Sequence, residues 1–221
     1  LALQPGGTTR AITATEQLRL AAVLREFREF LETTLFADTL ENVAALASAD
    51  ALFAWAETRG DADFARFVRL AADLGLDRIG RAADRFLAAG AYAGNADANG
   101  THLFPAGVCE GANVHAAAFD PAAVTEDASH AWLAGDGALP PAHGETRPLD
   151  APETKSVAYS WCKAPRYAGR VVETGALARQ LLAAHPLAVD LVATHGGSVL
   201  ARIAARMIEV ARVLPAMEGW L

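Results

Sequence analysis

Tyr159-Ser-Trp-Cys-Lys-Ala-Pro-Arg-Tyr167, running on through Gly169-Arg-Val-Val-Glu-Thr-Gly-Ala-Leu-Ala-Arg179, is the stretch on which the chain is organised. It packs three aromatic residues, Tyr159, Trp161 and Tyr167, around two cations, Lys163 and Arg166. Pro165 fixes its own φ and pushes Ala164 out of the helical region. Gly169 and Gly175 cut the run into short extended pieces, and Ala176 to Leu182 reads as a helix start. Read from the residues alone, this is a strand, a turn and a helix with aromatic packing.

The same residues resemble a segment of nickel–iron hydrogenase large subunits. That segment runs Tyr/Ser-Trp-x-Lys-Ala-Pro-Arg-Trp/Tyr-x-Gly and then Glu-x-Gly-Pro-Leu-Ala-Arg. Here it stands as Ser160-Trp-Cys-Lys-Ala-Pro-Arg-Tyr-Ala-Gly169 and Glu173-Thr-Gly-Ala-Leu-Ala-Arg179, with Ala176 where many members carry Pro. Either residue suits a first helical turn. Three further strings follow the family's order. Ser129-His-Ala-Trp-Leu133 is similar to its Ser/Thr-His-Ser-Trp-Tyr, Gly144-Glu-Thr-Arg-Pro148 matches a loop, and Ser198-Val-Leu-Ala-Arg-Ile-Ala-Ala-Arg206 is similar to Ser-x-Leu-Gly-Arg-x-Ala-Ala-Arg. The departures are Ala131, Leu133, Ala176, Ala201 and Pro140-Pro-Ala-His143 in place of His-Pro-Trp. The resemblance runs from Gly6 to about Arg206.

Composition agrees with a globular chain. The 221 residues are 52% hydrophobic and 20% charged, with a net charge of −7. An acidic balance argues against nucleic acid, which calls for a basic stripe. No run of eighteen uncharged apolar residues suggests a membrane span. Cys109 and Cys162 stand alone, outside any Cys-x-x-Cys pair, and read as core packing. No signal peptide is evident. The start at Leu1 reads as a piece with an N-terminal part missing.

The rest of the pattern is mainly helical with a small β component, an α+β fold. We expect one domain over 1–221: helical over 13–75, a β-hairpin and loops over 85–158, and the motif with C-terminal helices over 159–214. Gln4-Pro-Gly-Gly-Thr-Thr9 is a turn. Thr13 and Glu16 have capping-box spacing. Leu20, Val23, Leu24, Phe27, Phe30 and Leu31 then form a stripe expected to be a core face, with Arg25–Glu29 and Arg28–Glu32 paired on the other side. A second helical run carries Val43, Leu46, Leu52 and Phe53, with a break near Ser48. A third, capped by Asp61, carries Phe64, Phe67, Val68 and Leu74 and ends at Gly75. Arg85 to Tyr92 and His102 to Cys109 read as the strands of a hairpin, with a polar loop over 94–100. Residues 159–172 are expected to add to that hairpin. Asp120-Pro121 has N-cap and N1 chemistry for a short helix. Leu200, Ile203, Ala204, Met207, Ile208 and Ala211 build a long amphipathic helix.

The candidate motif residues are Trp161, Lys163, Arg166, Glu173, Arg179 and His130. Lys163 and Arg166 either orient the loop near a metal or face a partner, or they pair with Glu173 or another carboxylate and stack on Trp161 and Tyr167; the second reading is favoured. His102, His115, His143, His185 and His195 are scattered and show no helical metal spacing. Gly196-Gly197 ahead of a helix is a weak anion signal. No catalytic residue or metal ligand is assigned.

What the resemblance implies goes further. The complete protein would oxidise H2 reversibly and pass electrons to an iron–sulfur small subunit. Its nickel–iron centre is held in the family by two Cys-x-x-Cys pairs, soft thiolates suited to that metal pair. Neither pair occurs here, so these residues alone should be inactive and hold no cofactor. The alternative is a large-subunit-like maturation scaffold, which would partner maturation proteins instead. Self-association through an uncovered apolar face, and a cytoplasmic or partner-mediated membrane-peripheral location, complete the expectations.

Overall fold

The computed structural model describes residues 12–93, 102–113 and 117–221. The turn at 4–9, the loop at 94–100 and His115 therefore lie outside the described residues. The architecture is α+β, 47% helix and 17% strand, as the periodicities indicated.

Helix α1, Ala14–Phe30, opens with the expected capping box: Thr13 Oγ1 accepts from Glu16 N–H at 3.3 Å, and Thr13 N–H donates to Glu16 Oε2 at 2.8 Å. Most of the stripe it carries stays outside the core, with Leu24 packing against the core's edge. No α1 residue is buried, and Val23, Phe27 and Phe30 are 59%, 46% and 54% exposed. A π-helical turn, Leu31–Leu35, follows directly, closed by Phe36 N–H donating to Leu31 C=O at 2.9 Å. Burial begins there, with Leu31 and Phe36. Periodicity reports that a helix is amphipathic; it does not report what covers the apolar side. Instead, Arg28 holds α1 by its polar side, bonding Glu32, Glu41 and Glu218 at 2.9, 3.0 and 2.6 Å. Exposed pairs of this kind stabilise weakly.

Helices α2, Leu40–Ala44, and α3, Ala49–Glu57, are capped by Thr39 and Ser48, so the break near Ser48 is as read. Helix α4 spans Asp63–Leu74. Asp61 does not cap it: the N-cap is Ala62, without a side-chain bond, while Gly75 closes the helix in the left-handed region at φ 66°. Leu74 points to solvent.

Helices α5, Ala176–Leu182, α6, Pro186–His195, and α7, Val199–Trp220, form the other wall. The core between the walls includes Leu40, Leu52, Phe64, Leu181, Leu191, Leu200 and Ile208, with Phe86 reaching in from the first strand. Phe64 packs edge-on to Phe36 at 6.0 Å and against Trp55 at 5.4 Å. Among the described residues no single helix is long and apolar enough to cross a membrane. The α5–α6 pair is apolar in sum, but it bends by 110° and lies largely in the core.

Strands β1, Arg85–Ala93, and β2, His102–Glu110, pair antiparallel with Arg85 opposite Glu110 and Ala93 opposite His102. Residues 159–172 do not extend this hairpin. Within them, β5, Ala164–Tyr167, pairs with β3, Val124–Asp127, in a separate sheet completed by β4, Ala138–Leu139, in the order β4-β3-β5. Pro165 explains the placement, because a strand lacking one N–H belongs at a sheet edge. Main-chain bonds to the hairpin come from Glu173, whose carbonyl accepts from Leu87 N–H at 2.9 Å and whose N–H donates to Arg85 C=O at 2.7 Å. Side-chain contacts tie Tyr167 to Arg85 and Arg170 to Glu110.

Candidate functional site

The structure divides the six motif residues into two groups. His130, Trp161, Lys163 and Arg166 surround the β3–β5 sheet, while Glu173 and Arg179 belong to the junction of hairpin and helices.

In the first group, two sequence-distant strings run side by side. Tyr159 N–H donates to His130 C=O at 3.1 Å, and Trp132 N–H donates to Ser160 C=O at 2.9 Å. Ala131 and Ser160 thus form a parallel bridge. Side chains alternate along an extended chain, so residues 130 and 132 share a face, and so do 159 and 161. The result is a ladder of rings: His130 against Tyr159 at 5.8 Å and Trp132 against Trp161 at 5.2 Å. Tyr159 and Trp161 remain 74% and 54% exposed.

Behind the ladder, Lys163 Nζ meets Glu126 Oε2 at 3.1 Å, so its carboxylate partner is Glu126 rather than Glu173. β3 carries Glu126 to this place, opposite Pro165 in register. Arg166 donates to Pro165 C=O at 2.9 Å and likewise makes no pair with Glu173. The Ser129 hydroxyl and N–H hold the Asp127 carboxyl below its ordinary range, with smaller help from Arg166 and His130. Tyr167 is buried and stacked on Phe119 at 6.0 Å; the cation over its ring is Arg85, at 5.6 Å.

Lys155 is the residue that sequence reasoning missed most completely. Its ammonium donates to the carbonyls of Ala128, Leu133 and Gly135 at 2.9, 3.1 and 2.8 Å and lies 3.3 Å from Asp136. It ties the loop on both sides of His130 to one point. Nothing local to Lys155 signals this, since the carbonyls it bonds are 20 to 27 residues away.

In the second group, Glu173 grips Arg202 with two bonds of 2.6 and 2.7 Å, and Arg202 also donates to Gly80 C=O at 2.6 Å. The carboxylate raises the Arg202 pKa above its ordinary value, against the opposing effect of burial. Arg179 makes the matching bidentate pair with Glu209, 2.7 Å in each bond. Glu173 and Arg179 bracket the start of α5, while Arg202 and Glu209 stand two turns apart on one face of α7. Charges of opposite sign recurring at i,i+7 along α7 were the available signal. Below them Gln180, fully buried, accepts from Arg212 at 2.6 Å, and the Arg212 guanidinium lies 5.1 Å from the Phe104 ring. Burial pushes the Arg212 pKa down, opposed by Glu209.

The Gly196-Gly197 turn does receive an anion, but one from the chain itself: Gly197 N–H donates to Asp84 Oδ1 at 2.9 Å. The α7 cap is Ser198, whose hydroxyl accepts from Ala201 N–H at 3.2 Å.

No group of three or more His, Cys, Asp or Glu among the described residues is placed to hold a metal ion. Cys109 is buried, and burial pushes its thiol up to about 11, so it is a thiol rather than a ready thiolate ligand. Cys162, expected in the core like Cys109, is instead exposed in the loop ahead of β5. The described residues therefore do not fit a nickel–iron centre.

Comparison with known proteins agrees with this arrangement. The Hydrogenase-2 large chain of Escherichia coli strain K12 is 32% identical over 92 residues, which are 38% of this chain and 16% of that one. The nickel–iron–selenium hydrogenase of D. vulgaris Hildenborough shares the fold with a TM-score of 0.67 at 24% identity, covering 97% of this chain and 42% of that structure. The enzyme from Desulfomicrobium baculatum gives 0.67 at 22% identity, over 97% and 41%. The chain thus spans less than half the length of the relatives it matches. The sequence profile of the nickel-dependent hydrogenases fits residues 3–221, and this chain belongs to that family, on the side of its large subunit.

Proposed function

We propose that these residues, folded as a single domain, form the central body of a nickel–iron hydrogenase large subunit. Its complete form would oxidise H2 reversibly and pass electrons to an iron–sulfur small subunit. The observation that carries this reading is the family match from residue 3 to 221, together with the convergence of the family strings in space. Ser129–Leu133 lies along Tyr159–Trp161, and Glu173–Arg179 is clipped to α7 by Arg202 and Glu209. In this reading Trp161, His130, Lys163 and Arg166 frame a loop surface that faces a partner subunit. Glu173 and Arg179 fix the helical wall behind it. The metals would be held by residues outside this donor-poor set, so the 221 residues alone are inactive and no chemical step passes through them.

The test is intact mass with nickel and iron content of the natively expressed protein. A mass well above 23.1 kDa with near-stoichiometric nickel and iron is the expected result. A longer protein devoid of nickel overturns the catalytic reading and turns the assignment to a maturation scaffold.

A further inference from the structure

The ring ladder ends in a notch on the loop surface that the proposed function turns towards a partner. The indoles of Trp132 and Trp161 are tilted 58° to each other, and with Pro152 and Glu153 they line an open notch of about 380 Å³. The main-chain bonds at Trp132 and Tyr159 and the three carbonyl bonds of Lys155 hold this arrangement from behind. Glu153 is exposed, and its carboxylate has no ion-pair partner among the described residues.

These four side chains select by chemistry. Indole faces carry negative quadrupole density and attract cations. The carboxylate at the rim repels anions and leaves a neutral aromatic guest with an unmatched charge beside it. A cation satisfies both, and the chain's net charge of −7 favours a basic approach as well. Between the two common cations, a guanidinium is planar, sheds water more readily and can stack on one indole while directing two N–H groups to a carboxylate.

We propose that the Trp132–Trp161–Glu153 notch seats an arginine side chain of a partner polypeptide. The proposal rests on the partner-facing reading of this loop surface but not on metal or hydrogen chemistry, so peptide binding and metal content fail separately.

The experiment is a titration of the ¹⁵N-labelled 221-residue chain with acetyl-Gly-Arg-Gly-amide, up to about 10 mM because a single side chain binds weakly. The four indole N–H signals are the readout. Those of Trp132 and Trp161 should shift saturably. Trp55, whose indole N–H donates to Asp38 at 2.9 Å, and Trp220 should stay fixed. E153Q should weaken binding about two- to fivefold, and W161A should abolish it. Both residues are exposed, so neither change threatens the fold. The proposal is overturned if the neutral citrulline peptide shifts the same signals equally, or if W161A binds as the parent does. It is also overturned if no signal saturates, or if free guanidinium ion saturates the notch as well as the peptide, which would make it a small-cation site.

Discussion

Replacing Glu173 by Gln tests whether the clip between hairpin and helix stabilises the fold. The substitution keeps the side-chain shape and leaves the backbone of residue 173, with its two bonds to β1, untouched. It removes the charge that faces Arg202 through bonds of 2.6 and 2.7 Å. Hydrogen bonds to charged groups are worth about 1.5–3 kcal/mol, and an arginine left half-buried without its counter-charge adds a desolvation cost. The Glu173 and Arg202 side chains are 18% and 29% exposed, so solvent screens part of this gain. The net expectation is a loss of about 1–2 kcal/mol. For a chain of this size that lowers Tm by about 2–8 °C. Thermal unfolding followed by circular dichroism at 222 nm, on E173Q, R202M and the double variant, measures it. R202M should cost more than E173Q, because it also breaks the bond to Gly80. The double-mutant cycle should return at least about 0.5 kcal/mol of coupling. An E173Q protein melting within about 1 °C of the parent, with coupling inside about 0.3 kcal/mol, would refute the clip.

Three other expectations follow from single contacts. Lys155→Met removes a cation that bonds three carbonyls; it should cost about 2–3 kcal/mol and raise amide exchange across residues 128–160 before the helices respond. Buried His185 donates from Nε2 to Ala44 C=O at 2.9 Å, while its Nδ1 has no hydrogen-bond partner among the described residues. Burial holds its pKa below the ordinary value, aided by Arg212 and opposed by the Ala44 bond. The unfolded state therefore binds the proton more readily, and stability should fall as pH drops from about 6.5 through the lower folded value. The urea midpoint should drop between pH 7.5 and 5.5, and the drop should shrink in H185Q; an equal drop in both would clear His185 of the effect. Thiol reagents in native buffer should label Cys162 promptly and Cys109 only on unfolding, and mass spectrometry of the labelled peptides would show the reverse if the burial were wrong.

Much of the fold was legible because local chemistry dictates it. Thr13 with Glu16, Ser48, Gly75 and Asp120-Pro121 act within a few residues of themselves, and each appears where its spacing placed it or close by. The hairpin strands were readable from their composition and flanking turns. Failures arose where an outcome depends on distant chain. The stripe on α1 was readable as apolar but not as uncovered. Asp61 had the chemistry of a cap, yet the helix begins after Ala62. The motif residues stood out by type, but their partners, Glu126 for Lys163 and Arg202 for Glu173, are 37 and 29 residues away, beyond any local rule. Resemblance supplied the strings; only the fold showed which ones touch.

The π-helical turn at Leu31–Leu35 has a further consequence. It takes up one residue more than an α-helical turn and so acts as a phase shifter between α1 and the core. One residue of α-helix is about 100° of rotation. Deleting Thr34 would let the helix close in ordinary register, and α1 would swing through roughly that angle about its own axis. The stripe of Val23, Phe27 and Phe30 would then point in a new direction, and Arg28 would leave its three carboxylates. A single residue in this turn therefore decides which side of a seventeen-residue helix this protein offers to its surroundings.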